Sequence, residues 1–127
     1  MKFKPFDLEY SQSVWEQKID FNLTESGVHP VTLRELIGEN ESLIENLLET
    51  EINYPHVNGI PQLRVLIASL YNNASIENVL VTIGAAEANQ IVMQALLEPG
   101  AQIASLNPTY KQVSGIAENH GHEVKSI

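Results

Sequence analysis

The sequence predicts an α/β fold: an N-terminal arm, then the first part of a mainly parallel sheet flanked by helices. Three observations carry that prediction. From residue 78 onward, short β-branched runs alternate with apolar helical stretches, the order that builds a parallel sheet covered on both faces. Residues 78–100, NVLVTIGAAEANQIVMQALLEPG, read as a strand, a glycine turn, an apolar helix and a Pro-Gly stop. Before them, the helical signals are short and separately capped.

Taken in order, residues 1–26 mix polar and aromatic side chains without periodicity and read as an extended arm. Within the arm, residues 19–23 alternate and predict a short strand. Thr32-Leu33-Arg34-Glu35 is a capping-box pattern that opens a short helix, and Gly38 ends it. Leu43, Ile44, Leu47 and Leu48 share one face of a helix over residues 41–51. Residues 53–59 form a loop, because Tyr54 precedes proline and Asn58-Gly59 favours a turn. Pro61 sits at the first position of a helix carrying Leu63, Leu66, Ile67 and Leu70. Strands are then predicted at residues 79–82, 102–106 and 123–127, with helices at 85–97 and 110–119 between them. This divides the chain into residues 1–52, an arm with helices, and residues 53–127, the beginning of a larger α/β domain. A three-strand parallel sheet that stops within its last strand has open edges, which predicts a partial domain.

Composition narrows the function. At 127 residues, 43% hydrophobic and 18% charged, the chain is globular and long enough to bury a core. A net charge of -9, with the seven basic residues scattered, works against nucleic acid and anionic membranes as partners. The absence of cysteine removes disulfides and thiolate chemistry. His29, His56, His120 and His122 are too dispersed for a metal site, and the close pair His120 and His122 reads as an edge or loop pair. The first ten residues lack the apolar run of a signal peptide and no segment approaches membrane-spanning length, so a cytoplasmic protein is expected.

Four segments could carry chemistry. Gly84-Ala85-Ala86-Glu87 opens a helix, where orphan N–H groups and the helix dipole favour an anion. By itself it reads rather as an ordinary strand-to-helix turn, since the further glycines of a dinucleotide fingerprint and the Lys-Ser/Thr pair of a P-loop are absent. Asn107-Pro108-Thr109-Tyr110 lies at the carboxyl end of a predicted strand, where ligands of open α/β sheets bind. Its tyrosine could lie on a planar heterocycle or simply cap the core. Tyr54 precedes the helix of Gly59-Ile60-Pro61-Gln62-Leu63-Arg64, and Arg64 is expected to pair with surface acids. Glu25-Ser26-Gly27-Val28-His29-Pro30 reads as a binding turn or a linker.

Read in order, Tyr54…Gly59-Ile60-Pro61-x-Leu63-Arg64, Val81-Thr82-x-Gly84-Ala85, Leu97-x-Pro99-Gly100 and Asn107-Pro108-Thr109-Tyr110 resemble the fold-type-I pyridoxal-phosphate (PLP) aminotransferases of class I/II. The resemblance covers nearly all of residues 20–127 and rests on several motifs at consistent spacing. The Glu25–Pro30 segment and the Gly-Ala-Ala-Glu-Ala turn also look like the branch that includes capreomycidine synthase. The resemblance implies that Gly84, Ala85 and Ala86 form the cofactor-binding turn, with Ala85 and Ala86 binding the phosphate through backbone N–H groups, and that Tyr110 stacks on the pyridine ring. It implies that Tyr54 reaches the phosphate bound by a neighbouring subunit, making the enzyme a homodimer. Gly27 would lie beside the substrate carboxylate, with Val28 and His29 lining the pocket. The substrates implied are an amino acid and a 2-oxo acid.

Two positions depart from the pattern. Ala101 stands where aspartate usually follows Pro-Gly, and Ala85 and Ala86 lack the hydroxyl often found in the phosphate turn. A charge-assisted hydrogen bond lost there is worth about 1.5–3 kcal/mol. The family's chemistry also needs a lysine holding the cofactor as a Schiff base, a carboxylate on the pyridinium nitrogen and an arginine clamping the substrate. Lys2, Lys4, Lys18, Lys111 and Lys125 stand in no such motif, and neither Arg34 nor Arg64 matches the clamp. The sequence therefore predicts an N-terminal portion of an aminotransferase with no catalytic residue of its own. The alternative is a non-catalytic α/β module binding a phosphorylated metabolite or nucleotide at the Gly84 turn.

Overall fold

Capping residues or a proline open three of the six α-helices in the computed structural model, which describes residues 3–127. The order is α1 (Asp7–Trp15), α2 (Leu33–Ile37), α3 (Glu41–Leu48), α4 (Pro61–Ala68), a 3-10 turn (Ile76–Asn78), α5 (Gly84–Leu96), β1 (Gln102–Ser105), α6 (Gln112–Asn119) and β2 (Glu123–Ser126). The α2 capping box forms as its sequence predicts. The Glu35 amide donates to the Thr32 hydroxyl at 3.1 Å, and the Glu35 carboxylate accepts from the Thr32 amide at 2.7 Å. Those donors, the Thr32 backbone N–H first and its hydroxyl second, hold the Glu35 carboxyl below its ordinary range. Asn40 caps α3, and Pro61 occupies the first turn of α4.

The strands β1 and β2 pair in parallel, with Gln102 opposite Glu123 and Ser105 opposite Ser126. Two further bonds lengthen the ladder, from Ile127 N–H to Ser105 O and from Asn107 N–H to Ile127 O. Parallel neighbours need a crossover, and α6 supplies it, lying against both strands and against α5. The fold class is thus α/β, as expected, with two paired strands among the described residues.

Three local expectations are corrected. Residues 79–82 are not a strand; Val79 is extended, but the segment has no ladder partner and only Val81 N–H reaches a neighbouring loop, at Asn58 O. β-branching sets the dihedral angles and cannot supply the partner that makes a strand. Residues 19–23 also form no strand, because Asn22 turns the chain locally by accepting from the Thr24 amide and hydroxyl. The arm is not wholly extended: it contains α1, whose first turn carries Asp7 and Glu9 in favourable alignment with the helix dipole. In addition, α3 stops at Leu48, short of the expected residue 51.

The core is smaller than length and composition predict. Among the described residues only Ala68, Met93 and Ala117 are buried, and Ala117, on the helix that meets the sheet and α5, sits at 0% exposure. Much apolar surface stays in solvent, including Leu36, Leu48 and Ile52.

Candidate cofactor site

The Gly84 turn is locked by a reciprocal pair. The Gly84 amide donates to Thr82 O at 3.0 Å, and the Thr82 hydroxyl donates back to Gly84 O at 3.0 Å. Gly84 has φ +76°, a left-handed conformation that glycine adopts without strain, and nothing lies within 4 Å of where a Cβ would stand. The Glu87 carboxylate accepts from the Ile83 amide. In the first turn of the 13-residue α5, Ala85 and Ala86 N–H have no acceptor among the described residues, and both residues are exposed. Two orphan donors at a helix start, beside open space over glycine, are the donor set a phosphate needs.

Two contacts hold the segment leading into this turn. Arg64, partly buried on α4, donates from Nε to Val79 O at 2.8 Å and from Nη2 to Ile76 O at 2.6 Å. The expectation that Arg64 pairs with surface acids is therefore corrected: its rigid fork instead bridges two main-chain carbonyls, one of which, Ile76 O, also accepts from the Val79 N–H that closes the 3-10 turn. Gly59, at φ +96°, presses on Val81 so closely that a Cβ would fall 2.5 Å from the valine's Cβ. Both contacts join residues that the sequence analysis identified to the approach of the Gly84 turn.

The second predicted element, Asn107-Pro108-Thr109-Tyr110, follows β1 at its carboxyl end, and its Asn107-Pro108 bond is cis. Gln112, just after it, links the two turns. Its Nε2 donates to Ala86 O at 2.8 Å, and its Oε1 accepts from Asn89 Nδ2 at 2.9 Å. Tyr110 itself is tied to the N-terminal segment. Its hydroxyl donates to Glu9 Oε1 at 2.6 Å, and its ring centre lies 4.9 Å from that of Phe6 at 60°. The Glu9 hydrogen bond, with smaller contributions from burial and the Glu9 charge, raises the Tyr110 phenol above its ordinary range.

The other predicted residues stay apart. Tyr54 is 97% exposed in its loop, and its amide is held only by the neighbouring Asn53 side chain. Gly27, Val28 and His29 are exposed, with the Gly27 amide turned onto Glu25 Oε1. His120 and His122 each place Nδ1 by a backbone carbonyl, of Ile116 and Ala101 respectively, and no metal-binding group occurs among the described residues. No helix among them is long and apolar enough to cross a membrane. Phe6, Glu9 and Gln112 were missed from sequence. Only the position of Gln112 two residues after Tyr110 offered a signal, since contacts across 101 residues leave no trace in local pattern.

The donor set fits the phosphate end of PLP, and a half-exposed aromatic follows the adjacent strand.

Comparison with known proteins gives the family and the fold. A family model for "Aminotransferase class I and II" matches residues 21–127. Among solved structures, a PLP-dependent aminotransferase from Streptococcus suis 89-1591 aligns at TM-score 0.88 and 32% identity, covering 99% of this chain and 35% of that one. A PLP-dependent cyclase, OrfR, aligns at TM-score 0.86 and 23% identity, covering 100% of this chain and 33% of that one, a likeness of fold. No curated protein matches. The chain spans about a third of the length of these two structures. With the family model covering most of its length, the chain belongs to the aminotransferase class I and II family.

Proposed function

We propose that these residues form the N-terminal, phosphate-binding part of a PLP-dependent aminotransferase that moves an amino group between an amino acid and a 2-oxo acid. The observation that carries the reading is the pair of free N–H groups, Ala85 and Ala86, on a glycine turn in a chain of this family. When bound, PLP supplies an electron sink for carbanion chemistry. The chain's own share is binding and orientation. Ala85 and Ala86 donate to the phosphate, Gly84 leaves it room, and Arg64 with Gly59 holds the approach. Gln112 couples this turn to the strand end carrying Tyr110, which provides the platform for the pyridine ring. In a homodimer, Tyr54, free on its loop, would reach the phosphate of the partner's site, and Gly27, Val28 and His29 would line the substrate pocket. Residues 1–52 contribute the arm and helices, and residues 53–127 begin the cofactor domain.

No proton is moved by this portion, because the cofactor-anchoring lysine is not among Lys2, Lys4, Lys18, Lys111 and Lys125. We expect the 127 residues alone to bind PLP reversibly and to lack transaminase activity. Titration with PLP followed by borohydride reduction tests this. Saturable binding that dialysis reverses before reduction is expected. Stoichiometric attachment at one specific lysine would contradict it, and preference for a nucleotide over PLP would overturn the cofactor assignment.

A further inference from the structure

We propose that Phe6 and Glu9 are positioning residues for Tyr110, making the N-terminal segment part of the cofactor site. This rests on Tyr110 as the ring platform. A tyrosine ring is anchored at its Cβ by the backbone, here at the end of β1, but turns unless its far end is also held. Glu9 Oε1 holds that end at 2.6 Å, and Phe6 meets the ring at 4.9 Å and 60°, a tilted aromatic contact that resists rotation. With both contacts in place, Tyr110 remains 48% exposed, so ring surface is still available to a planar ligand.

The segment carrying Phe6 and Glu9 is fastened separately to α6. The Lys4 amide donates to Asn119 Oδ1 at 3.1 Å, and Lys4 Nζ pairs with Glu118 Oε2 at 2.9 Å. Together they border a groove of about 860 Å³. The charged groups around it are Lys4, Asp7 and Glu9 from the N-terminal segment, and Lys111 and Glu118 from the α6 side. Glu9 is the one that touches the phenol, so its replacement should move Tyr110 while the others stay.

The test uses the whole chain labelled with 13C-tyrosine, whose four tyrosines are assigned with Tyr110→Phe. The Tyr110 ring resonance is titrated with pH, and PLP affinity is followed by quenching of Trp15. In Glu9→Leu the Tyr110 titration returns toward the ordinary phenol range, and PLP binds about fivefold more weakly, the scale of one lost hydrogen bond. Glu9→Gln loses the charge but keeps an acceptor. It therefore keeps the Tyr110 titration raised relative to Glu9→Leu and holds affinity within about twofold, which separates positioning from general damage. An unchanged Tyr110 titration in Glu9→Leu would overturn the proposal. So would unchanged PLP affinity in Glu9→Leu when Tyr110→Ala weakens binding; the platform reading would then survive. If Tyr110→Ala leaves PLP affinity unchanged, the platform reading fails and the proposal fails with it.

Discussion

Residues 17–57 and residues 58–127 contain similar apolar side chains yet are held together differently. In the first stretch, every described side-chain hydrogen bond joins residues no more than four apart, such as Thr32 with Glu35 or Asn40 with Leu43. In the second, Arg64 reaches Val79, Gln112 reaches Ala86 and His122 reaches Ala101, and all three buried residues lie there. Caps define where helices start; only contacts between distant residues build a core and a site. The apolar face of α3 illustrates the point, since Leu43, Ile44, Leu47 and Leu48 are all exposed.

The comparison makes graded predictions. Met93→Ala, in the second stretch, empties a buried position on α5 and should cost about 2–3 kcal/mol by chemical denaturation. An effect below about 0.5 kcal/mol would mean that no packed core exists there. Arg64→Met should cost about 1–2 kcal/mol, because it removes the side-chain donor to Val79 O and a second donor to Ile76 O. It should also weaken PLP binding without altering the spectrum of the bound cofactor. Arg64→Lys restoring both stability and affinity would show that charge, not the planar fork, is what matters.

Effects in the first stretch should be local. Thr32→Ala should speed exchange of the Glu35 and Leu36 amides about fivefold and leave α5 and α6 protection unchanged. Glu35 gives the same region a pH signature. Its folded pKa is lowered, so its stabilisation is complete above the unfolded carboxyl's pKa and disappears as the pH falls through the lower folded value. Faster α2 exchange on acidification, absent in Glu35→Gln, checks this. Smallest of all is Leu48→Ala, expected to change stability by less than about 0.5 kcal/mol, since Leu48 is already 71% exposed. A large loss there would reveal packing on α3 and erase the contrast.

What the sequence made legible follows the same line. The capping box, the proline start of α4, the helix after Gly84 and the strand–helix–strand order of residues 102–126 were all readable, because each depends on neighbours in sequence. Residues 79–82 failed as a strand, since pairing depends on a partner that local pattern does not encode. Arg64 was assigned to acids because the carbonyls that a 3-10 turn brings within reach of one guanidinium are invisible before the turn is seen. The Gly84 turn and Tyr110 were found as separate motifs, while Gln112, which ties their neighbourhoods, and Glu9, which holds the tyrosine, emerged only from the folded chain.

The central claim, that the Gly84 turn receives the phosphate of PLP, is tested most directly by amide NMR of the 15N-labelled chain titrated with PLP and, in parallel, with pyridoxal. PLP should shift the Ala85 and Ala86 amides saturably, and pyridoxal, lacking the phosphate, should leave them in place. Equal shifts with both compounds, or PLP shifts that avoid this turn, would contradict it.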